Sequence, residues 1–129
     1  MAIIQTLVDC VEVCAAKGIE QVILCPGSRN AALIIAFEQN PKIKCYSISD
    51  ERTAAFVAMG MANATKKTVA IVCTSGTAAL NFIPAAAEAF FQEIPILILT
   101  ADRPQEWIDQ YDGQTVFQEN TFGKHVKHT

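Results

Sequence analysis

The sequence predicts a three-layer α/β domain, in which helices cover both faces of a mostly parallel sheet. Short apolar runs alternate with helical stretches along the chain, and turn residues separate them. Continuous apolar runs are typical of parallel strands, which are buried on both faces. The chain has 129 residues, of which 51% are hydrophobic and 18% charged. This length fits a single domain, and the high apolar content predicts surface that another protein part covers.

The first half of the chain predicts two helices and two strands. Apolar residues at helical spacing predict an amphipathic helix over residues 2–17, which Gly18 ends. A strand follows at residues 21–25 and stops at a Pro-Gly pair. The next helix covers residues 30–39 and ends before a proline, and the second strand covers residues 43–48.

A third helix follows the second strand and runs to about Thr65. Asp50 is the better capping residue at its start, which leaves Glu51 free for other contacts. Residues 54–62 are apolar on every side of the predicted helix. We therefore expect this helix to be buried all round.

The second half continues the alternation. A strand at residues 68–73 leads through residues 74–77 into an Ala-rich helix that runs to about Phe91. Pro84 should kink or open this helix, because proline has no N–H to donate. The fourth strand covers residues 94–99, and beyond it the pattern weakens into a polar, Gln-rich stretch.

Charge and cysteine content exclude several functions. The formal net charge is −3 and the ten Lys and Arg residues are scattered, which argues against nucleic-acid binding. No apolar run is long enough to insert into a membrane and no leader pattern is present, so we expect a cytoplasmic protein. We expect buried free thiols at Cys10, Cys14, Cys25, Cys45 and Cys73, and no metal site.

The predicted topology brings four polar loops to one edge of the sheet. They are residues 26–29 (PGSR), 49–52 (SDER), 74–77 (TSGT) and 101–104 (ADRP). Ligands of such sheets bind outside the carboxyl ends of the strands. The sequence therefore places the functional site at this edge.

Each candidate residue in these loops has two interpretations. Glu51 is either a carboxylate that favours a helix N-terminus or a poorly solvated acid that shares a proton with a ligand nitrogen. Ser28 and Arg29 form either an anion site or a plain strand-to-helix turn. Arg103 forms either a local ion pair with Asp102 or a second cation at the edge that holds Arg29.

The TSGT segment does not predict a serine hydrolase, because the G-x-S-x-G pattern is missing and both histidines lie near the C-terminus. Ser75 or Thr77 is expected to cap a helix, or the loop forms a wall of small residues beside a ligand. The nucleotide-binding patterns G-x-x-x-x-G-K-[ST] and G-x-G-x-x-G are absent as well.

Taken together, five segments resemble one enzyme family. They are CPGSRN at 25–30, SDERTAAF at 49–56, TSGTAALN at 74–81, LTADRP at 99–104 and DGQT at 112–115. The chain resembles the thiamine-diphosphate-dependent 2-succinyl-5-enolpyruvyl-6-hydroxy-3-cyclohexene-1-carboxylate synthases of menaquinone biosynthesis. PGSR, LTADRP and DGQT are the specific part of this resemblance, since the other two segments are shared by many thiamine-diphosphate enzymes.

The resemblance implies a transferase, or carboligase, and a role for each site residue. Such an enzyme decarboxylates 2-oxoglutarate and adds the succinyl carbanion equivalent to isochorismate. Glu51 matches the catalytic residue, which contacts N1′ of the cofactor's aminopyrimidine. Ser75 and Gly76 match cofactor-binding positions. The substrate-binding positions are matched by Ser28, Arg29, Arg103 and Gln114.

The resemblance also implies that the 129 residues are incomplete. Members of this family are several times longer and carry a separate domain with a G-D-G…N motif, which binds Mg²⁺ and the diphosphate of thiamine diphosphate. That motif is absent here. We therefore expect residues 1–129 to be a single pyrimidine-binding domain, truncated from a longer homo-oligomeric protein (a dimer or tetramer) and inactive alone.

Two alternatives remain open. Another thiamine-diphosphate enzyme, of the acetolactate synthase or 2-oxoacid decarboxylase type, would share Glu51 and the TSGT turn. Arg29 and Arg103 argue against it, because small monocarboxylate substrates would not need both. The second alternative is a non-catalytic flavodoxin-like module that binds an anion or a partner through the same loops.

Overall fold

The computed structural model describes residues 4–128 and contains a four-stranded sheet. Its strands lie in the order β2-β1-β3-β4, and all three pairings are parallel. Their bounds are Gln21–Leu24 for β1, Lys44–Ser47 for β2, Val69–Cys73 for β3 and Ile96–Thr100 for β4. This arrangement confirms the predicted parallel α/β fold.

Five α-helices and two short 3₁₀ helices surround the sheet in the described part of the chain. The α-helices are α1 Gln5–Ala16, α2 Ala31–Glu38, α3 Glu51–Thr65, α4 Thr77–Leu80 and α5 Ile83–Phe91. The 3₁₀ helices, Gln105–Trp107 and Gly123–His125, lie in the segment that follows β4. Helices α1 and α2 pack on one face of the sheet, and α3 and α5 pack on the other.

Strand β3 is the centre of the core, because all five of its residues are buried. Successive side chains point to opposite faces of a strand. Ile71 and Cys73 accordingly pack in the cluster with α3 and α5, while Ala70 and Val72 pack in the cluster with α1 and α2. One strand thus joins the two halves of the core.

The expectation that α3 is buried all round is wrong. Its face toward the sheet consists of alanines that are fully buried, namely Ala54, Ala55, Ala58 and Ala62. On the other side, Phe56 and Val57 are 40% and 39% exposed. A helix in an outer layer buries one face only, so the apolar composition of α3 leaves apolar surface outside the domain.

Pro84 interrupts the predicted Ala-rich helix, which is divided into α4 and α5. The proline lies in the first turn of α5, where its missing N–H is not needed. Strand β4 begins two residues later than predicted and extends to Thr100. Residues 2 and 3 of the predicted first helix lie outside the described residues.

The cysteines follow the prediction in part. All five are free, and Cys14, Cys25 and Cys73 are buried. Cys10 and Cys45 are half-buried, which corrects the expectation for these two. Among residues 4–128, no helix is long and apolar enough to cross a membrane.

A substitution in α3 tests the close packing of its alanine face. Ala58→Leu should lower the free energy of unfolding by about 1–3 kcal/mol, because the larger side chain does not fit between α3 and the sheet. Ala64→Leu makes the same change at an exposed position of α3 and should have little effect. Urea unfolding of both variants measures the difference. Equal destabilisation would contradict this packing.

Candidate functional site

The loops after β1 and β3 touch each other at the carboxyl edge of the sheet. A Cβ atom on Gly27 would lie 2.5 Å from Cβ of Thr74. Gly76 has a φ of +82°, and its Cβ would collide with the backbone carbonyl oxygen of Gln114. Glycine is therefore required at position 27, where the two loops meet, and at position 76, where the backbone of the DGQT segment lies against the second loop.

Gln118 connects this edge to the end of β4. The backbone N–H of Gly76 donates to Oε1 of Gln118 at 3.0 Å. Nε2 of Gln118 donates to the carbonyl oxygen of Ala101 at 2.8 Å and to Oγ1 of Thr100 at 3.3 Å. Gln118 is not predicted from the sequence, because a glutamine in an irregular stretch gives no local signal for contacts 17 to 42 residues away.

At the start of α3, Asp50 caps the helix and Glu51 does not. Asp50 is the N-cap, and its Oδ1 accepts the backbone N–H of Thr53 at 2.7 Å. This hydrogen bond lowers the pKa of Asp50, because it stabilises the charged carboxylate. Glu51 is half-buried, and its carboxylate makes no hydrogen bond or ion pair with residues 4–128. The prediction that Asp50 caps and leaves Glu51 free is confirmed.

Two buried thiols lie near Glu51, at the ends of β1 and β3. Burial raises the pKa of Cys25 and of Cys73 to about 12, and the negative charge of Glu51 adds to both shifts. Both thiols are therefore neutral at physiological pH. They therefore do not serve as nucleophiles.

The two candidate arginines converge on one carboxylate. Nη2 of Arg29 lies 3.3 Å from Oδ2 of Asp112, and Nε of Arg103 lies 3.5 Å from the same oxygen. Nη1 of Arg29 also donates to Oε1 of Gln114 at 3.1 Å. Nη2 of Arg103 donates to the carbonyl oxygen of Gly113. The structure thus brings together Arg29, Arg103 and Gln114.

The local ion pair between Asp102 and Arg103 is not formed. The carboxylate of Asp102 accepts the backbone N–H of Arg103 at 2.7 Å, while the guanidinium turns toward Asp112. The side chain of Arg103 is 4% exposed. A cation buried to this degree needs a nearby negative charge, which Asp112 supplies.

The serine and threonine candidates have different environments. Ser28 is exposed, whereas Ser75 and Thr74 are buried and their hydroxyl oxygens have no hydrogen-bond partner among the described residues. Gly76, and neither Ser75 nor Thr77, occupies the N-cap of α4, so the capping interpretation is wrong. Buried polar atoms without a partner are rare, and these two lie at the carboxyl end of β3.

A model of the N-terminal TPP binding domain of thiamine pyrophosphate enzymes matches residues 7–126. The chain belongs to this family. This membership confirms the fold class that the sequence predicts and shows that thiamine diphosphate is the cofactor of the family to which this TPP-binding domain belongs.

The curated relatives carry one enzyme name. The chain is 59% identical over 115 residues to 2-succinyl-5-enolpyruvyl-6-hydroxy-3-cyclohexene-1-carboxylate synthase of Flavobacterium johnsoniae, a match that covers 89% of the chain and 21% of the relative. The enzymes of the same name from Flavobacterium psychrophilum and Porphyromonas gingivalis are 56% and 53% identical, over 89% and 86% of the chain and 21% and 19% of the relatives. The chain thus spans about a fifth of their length.

The residues of this TPP binding domain fit one part of the cofactor. The free carboxylate of Glu51 can accept a hydrogen bond from an aminopyrimidine nitrogen, and the thiols of Cys25 and Cys73 add no charge near it. The residues from 4 to 128 contain no group of three or more His, Cys, Asp or Glu side chains that could hold a metal ion. The fit therefore concerns the pyrimidine ring.

Gly76 offers a test of how this edge is assembled. Gly76→Ala should lower the free energy of unfolding by about 1–3 kcal/mol, because alanine is strained at this backbone conformation and its Cβ meets the backbone of Gln114. Limited proteolysis should also cut residues 105–118 faster, because the clash displaces this segment.

Gly113→Ala is the matched control for this substitution. It changes a glycine of the same edge whose Cβ would have no neighbour within 4 Å, and it should behave like the unsubstituted chain. If both alanine variants were equally stable, Gly76 would not be a contact point for the DGQT segment.

Proposed function

We propose that this chain is the pyrimidine-binding domain of a 2-succinyl-5-enolpyruvyl-6-hydroxy-3-cyclohexene-1-carboxylate synthase. In this proposal the whole protein decarboxylates 2-oxoglutarate and adds the succinyl unit to isochorismate in menaquinone biosynthesis. The observation that carries the proposal is the convergence of Arg29 and Arg103 on one carboxylate oxygen at the edge that also holds Glu51. The relatives that share this name support it independently.

Glu51 is proposed as the catalytic residue. Thiamine diphosphate, when bound, supplies the electron sink for decarboxylation. The carboxylate of Glu51 holds the proton at N1′ of the aminopyrimidine, which is possible because Asp50 already caps α3. Ser75 and Gly76 are proposed to form the neighbouring wall, where the buried hydroxyl of Ser75 has no partner among the described residues and is available to the cofactor.

The substrate side of the site is proposed to consist of Ser28, Arg29, Arg103 and Gln114. Both substrates are dicarboxylates, and guanidinium groups bind carboxylates through paired hydrogen bonds. Gln114 accepts a hydrogen bond from Arg29 and so fixes the direction of that side chain. The hydroxyl of Ser28 is exposed at the same loop and is available to a substrate oxygen.

The remaining parts of the site are proposed to come from outside residues 1–129. Mg²⁺ and the diphosphate would be held by a further domain of the longer protein, which agrees with the length of the relatives. The exposed apolar side chains Phe56 and Val57 follow Glu51 on α3, and we propose that a second subunit of a homo-oligomer covers them. The protein is proposed to work in the cytoplasm.

Exchange of the cofactor's C2 proton tests the role of Glu51. In the full-length protein with bound cofactor, Glu51→Gln should slow this exchange by about 100-fold or more, because the amide cannot take the place of the proton-holding carboxylate. Hydrogen–deuterium exchange followed by NMR measures the rate without either substrate.

Asp50→Asn is the control for this measurement, since it removes the adjacent negative charge while the amide oxygen can still accept the N–H of Thr53. It should keep the helix cap and the exchange rate. Unchanged exchange in Glu51→Gln would refute the assignment and favour a non-catalytic module.

Substrate choice tests the arginines. Arg29→Gln in the full-length protein should reduce kcat/KM for 2-oxoglutarate and isochorismate by about 10- to 100-fold, because one charged hydrogen-bond partner of a carboxylate is lost. Arg52→Gln removes a positive charge from an exposed residue next to Glu51 and should change kcat/KM less than threefold. Efficient use of pyruvate by the unsubstituted protein would favour an acetolactate synthase or a 2-oxoacid decarboxylase.

A further inference from the structure

Asp112 occupies the position between the two arginines that a ligand carboxylate would take. Its Oδ2 lies 3.3 Å from Nη2 of Arg29 and 3.5 Å from Nε of Arg103. Asp112 and Gln114 together engage both terminal nitrogens of Arg29. In the described structure, a carboxylate of the chain itself therefore lies beside both arginines.

The contact with Asp112 does not use all the hydrogen-bond donors of the two arginines. Nε of Arg103 is buried and makes no well-directed hydrogen bond, although the carboxylate of Asp112 is nearby. One carboxylate oxygen serves two guanidinium groups, whereas a guanidinium can form paired bonds with both oxygens of a carboxylate. The arrangement balances the charge of Arg103 without using its full hydrogen-bonding capacity.

The part of the segment around Asp112 is open to solvent. The side chain of Asp112 is 48% exposed, and the preceding Tyr111 is 99% exposed. Tyr111 and Gln114 both have positive φ angles, of 55° and 59°, which residues other than glycine seldom adopt. The ion pair between Arg29 and Asp112 is partly exposed and contributes little to stability. The buried guanidinium of Arg103 needs a negative charge beside it, and an incoming carboxylate that replaces Asp112 supplies the same charge.

We propose that Asp112 is an internal carboxylate that holds Arg29 and Arg103 in the empty site and is replaced there by a carboxylate of the dicarboxylate substrate. Substrate binding at this point is then an exchange of one carboxylate for another. Asp112 thereby sets the affinity of the arginine pair for its ligand. The inference rests on the proposed function, because it takes the ligand to be a dicarboxylate.

The proposal and its opposite predict effects of different sign. If Asp112 competes with the ligand, its removal strengthens ligand binding. If Asp112 stays in place and only orients the arginines, its removal weakens binding. Asp112→Asn separates the two, because the amide oxygen can still accept the N–H of Gly113, which Oδ1 of Asp112 accepts at 2.8 Å.

The test measures succinate binding to the full-length protein by titration calorimetry at fixed ionic strength. Succinate is a dicarboxylate that cannot be decarboxylated by the proposed reaction, so binding is measured without turnover. Asp112→Asn should bind succinate about three- to tenfold more tightly than the unsubstituted protein. Asp112→Ser, a second variant without the charge, should give the same sign, and adding Arg29→Gln to either variant should abolish the gain.

Glu106→Gln is the matched control. It removes one carboxylate from the same exposed segment, at a residue that forms no ion pair with either arginine in the described structure, and it should change the affinity less than twofold. Equal or weaker binding by Asp112→Asn would overturn the proposal. So would an equal gain in Glu106→Gln, which would indicate a general charge effect, or the absence of any succinate binding.

The succinate titration and an assay of succinyl transfer distinguish a failure of the carboxylate exchange from a failure of the proposed function. Tighter succinate binding by Asp112→Asn in a protein that lacks succinyl transfer would support the carboxylate exchange and refute the assigned reaction. Active succinyl transfer with weaker succinate binding in Asp112→Asn would support the assigned reaction and refute the carboxylate exchange.

Discussion

The site depends on the close approach of the loops that follow β1 and β3. Because these strands are parallel neighbours, their carboxyl ends meet at one edge, and Gly27 fits directly against Thr74. Gly76 then allows the backbone of Gln114 to lie against the second loop. A larger side chain at Gly27 would separate the loops after β1 and β3, and one at Gly76 would separate the second of these loops from Gln114. The cluster of charged groups thus depends on glycine at positions 27 and 76.

Charge is divided between two parts of this edge. At the start of α3, Asp50 satisfies the helix N-terminus, so Glu51 keeps a carboxylate without an internal partner. At the arginine pair the opposite holds, because a guanidinium as buried as that of Arg103 requires compensation, and Asp112 provides it. At the start of α3, Asp50 therefore leaves the carboxylate of Glu51 without an internal partner. At the arginine pair, Asp112 of the chain itself occupies the space between the guanidinium groups.

The sequence predicted the elements and the loops better than the contacts between them. Strand β3, the end of α3 at Thr65 and the cap at Asp50 follow from local patterns of apolar and capping residues. The exposed side of α3 does not, since an apolar helix has no polar face to mark it. The roles of Asp112 and Gln118 depend on partners far away in the chain, and no local pattern encodes such contacts.

The buried position of Arg103 has a consequence for selectivity. Since its charge is balanced in the described structure, a ligand carboxylate that replaces Asp112 brings no net gain of charge pairing. The gain must come from better hydrogen bonds to the guanidinium groups and from a second carboxylate elsewhere in the ligand. A monocarboxylate offers only the first of these, so exchange at Asp112 would favour dicarboxylates more strongly than two uncompensated arginines would.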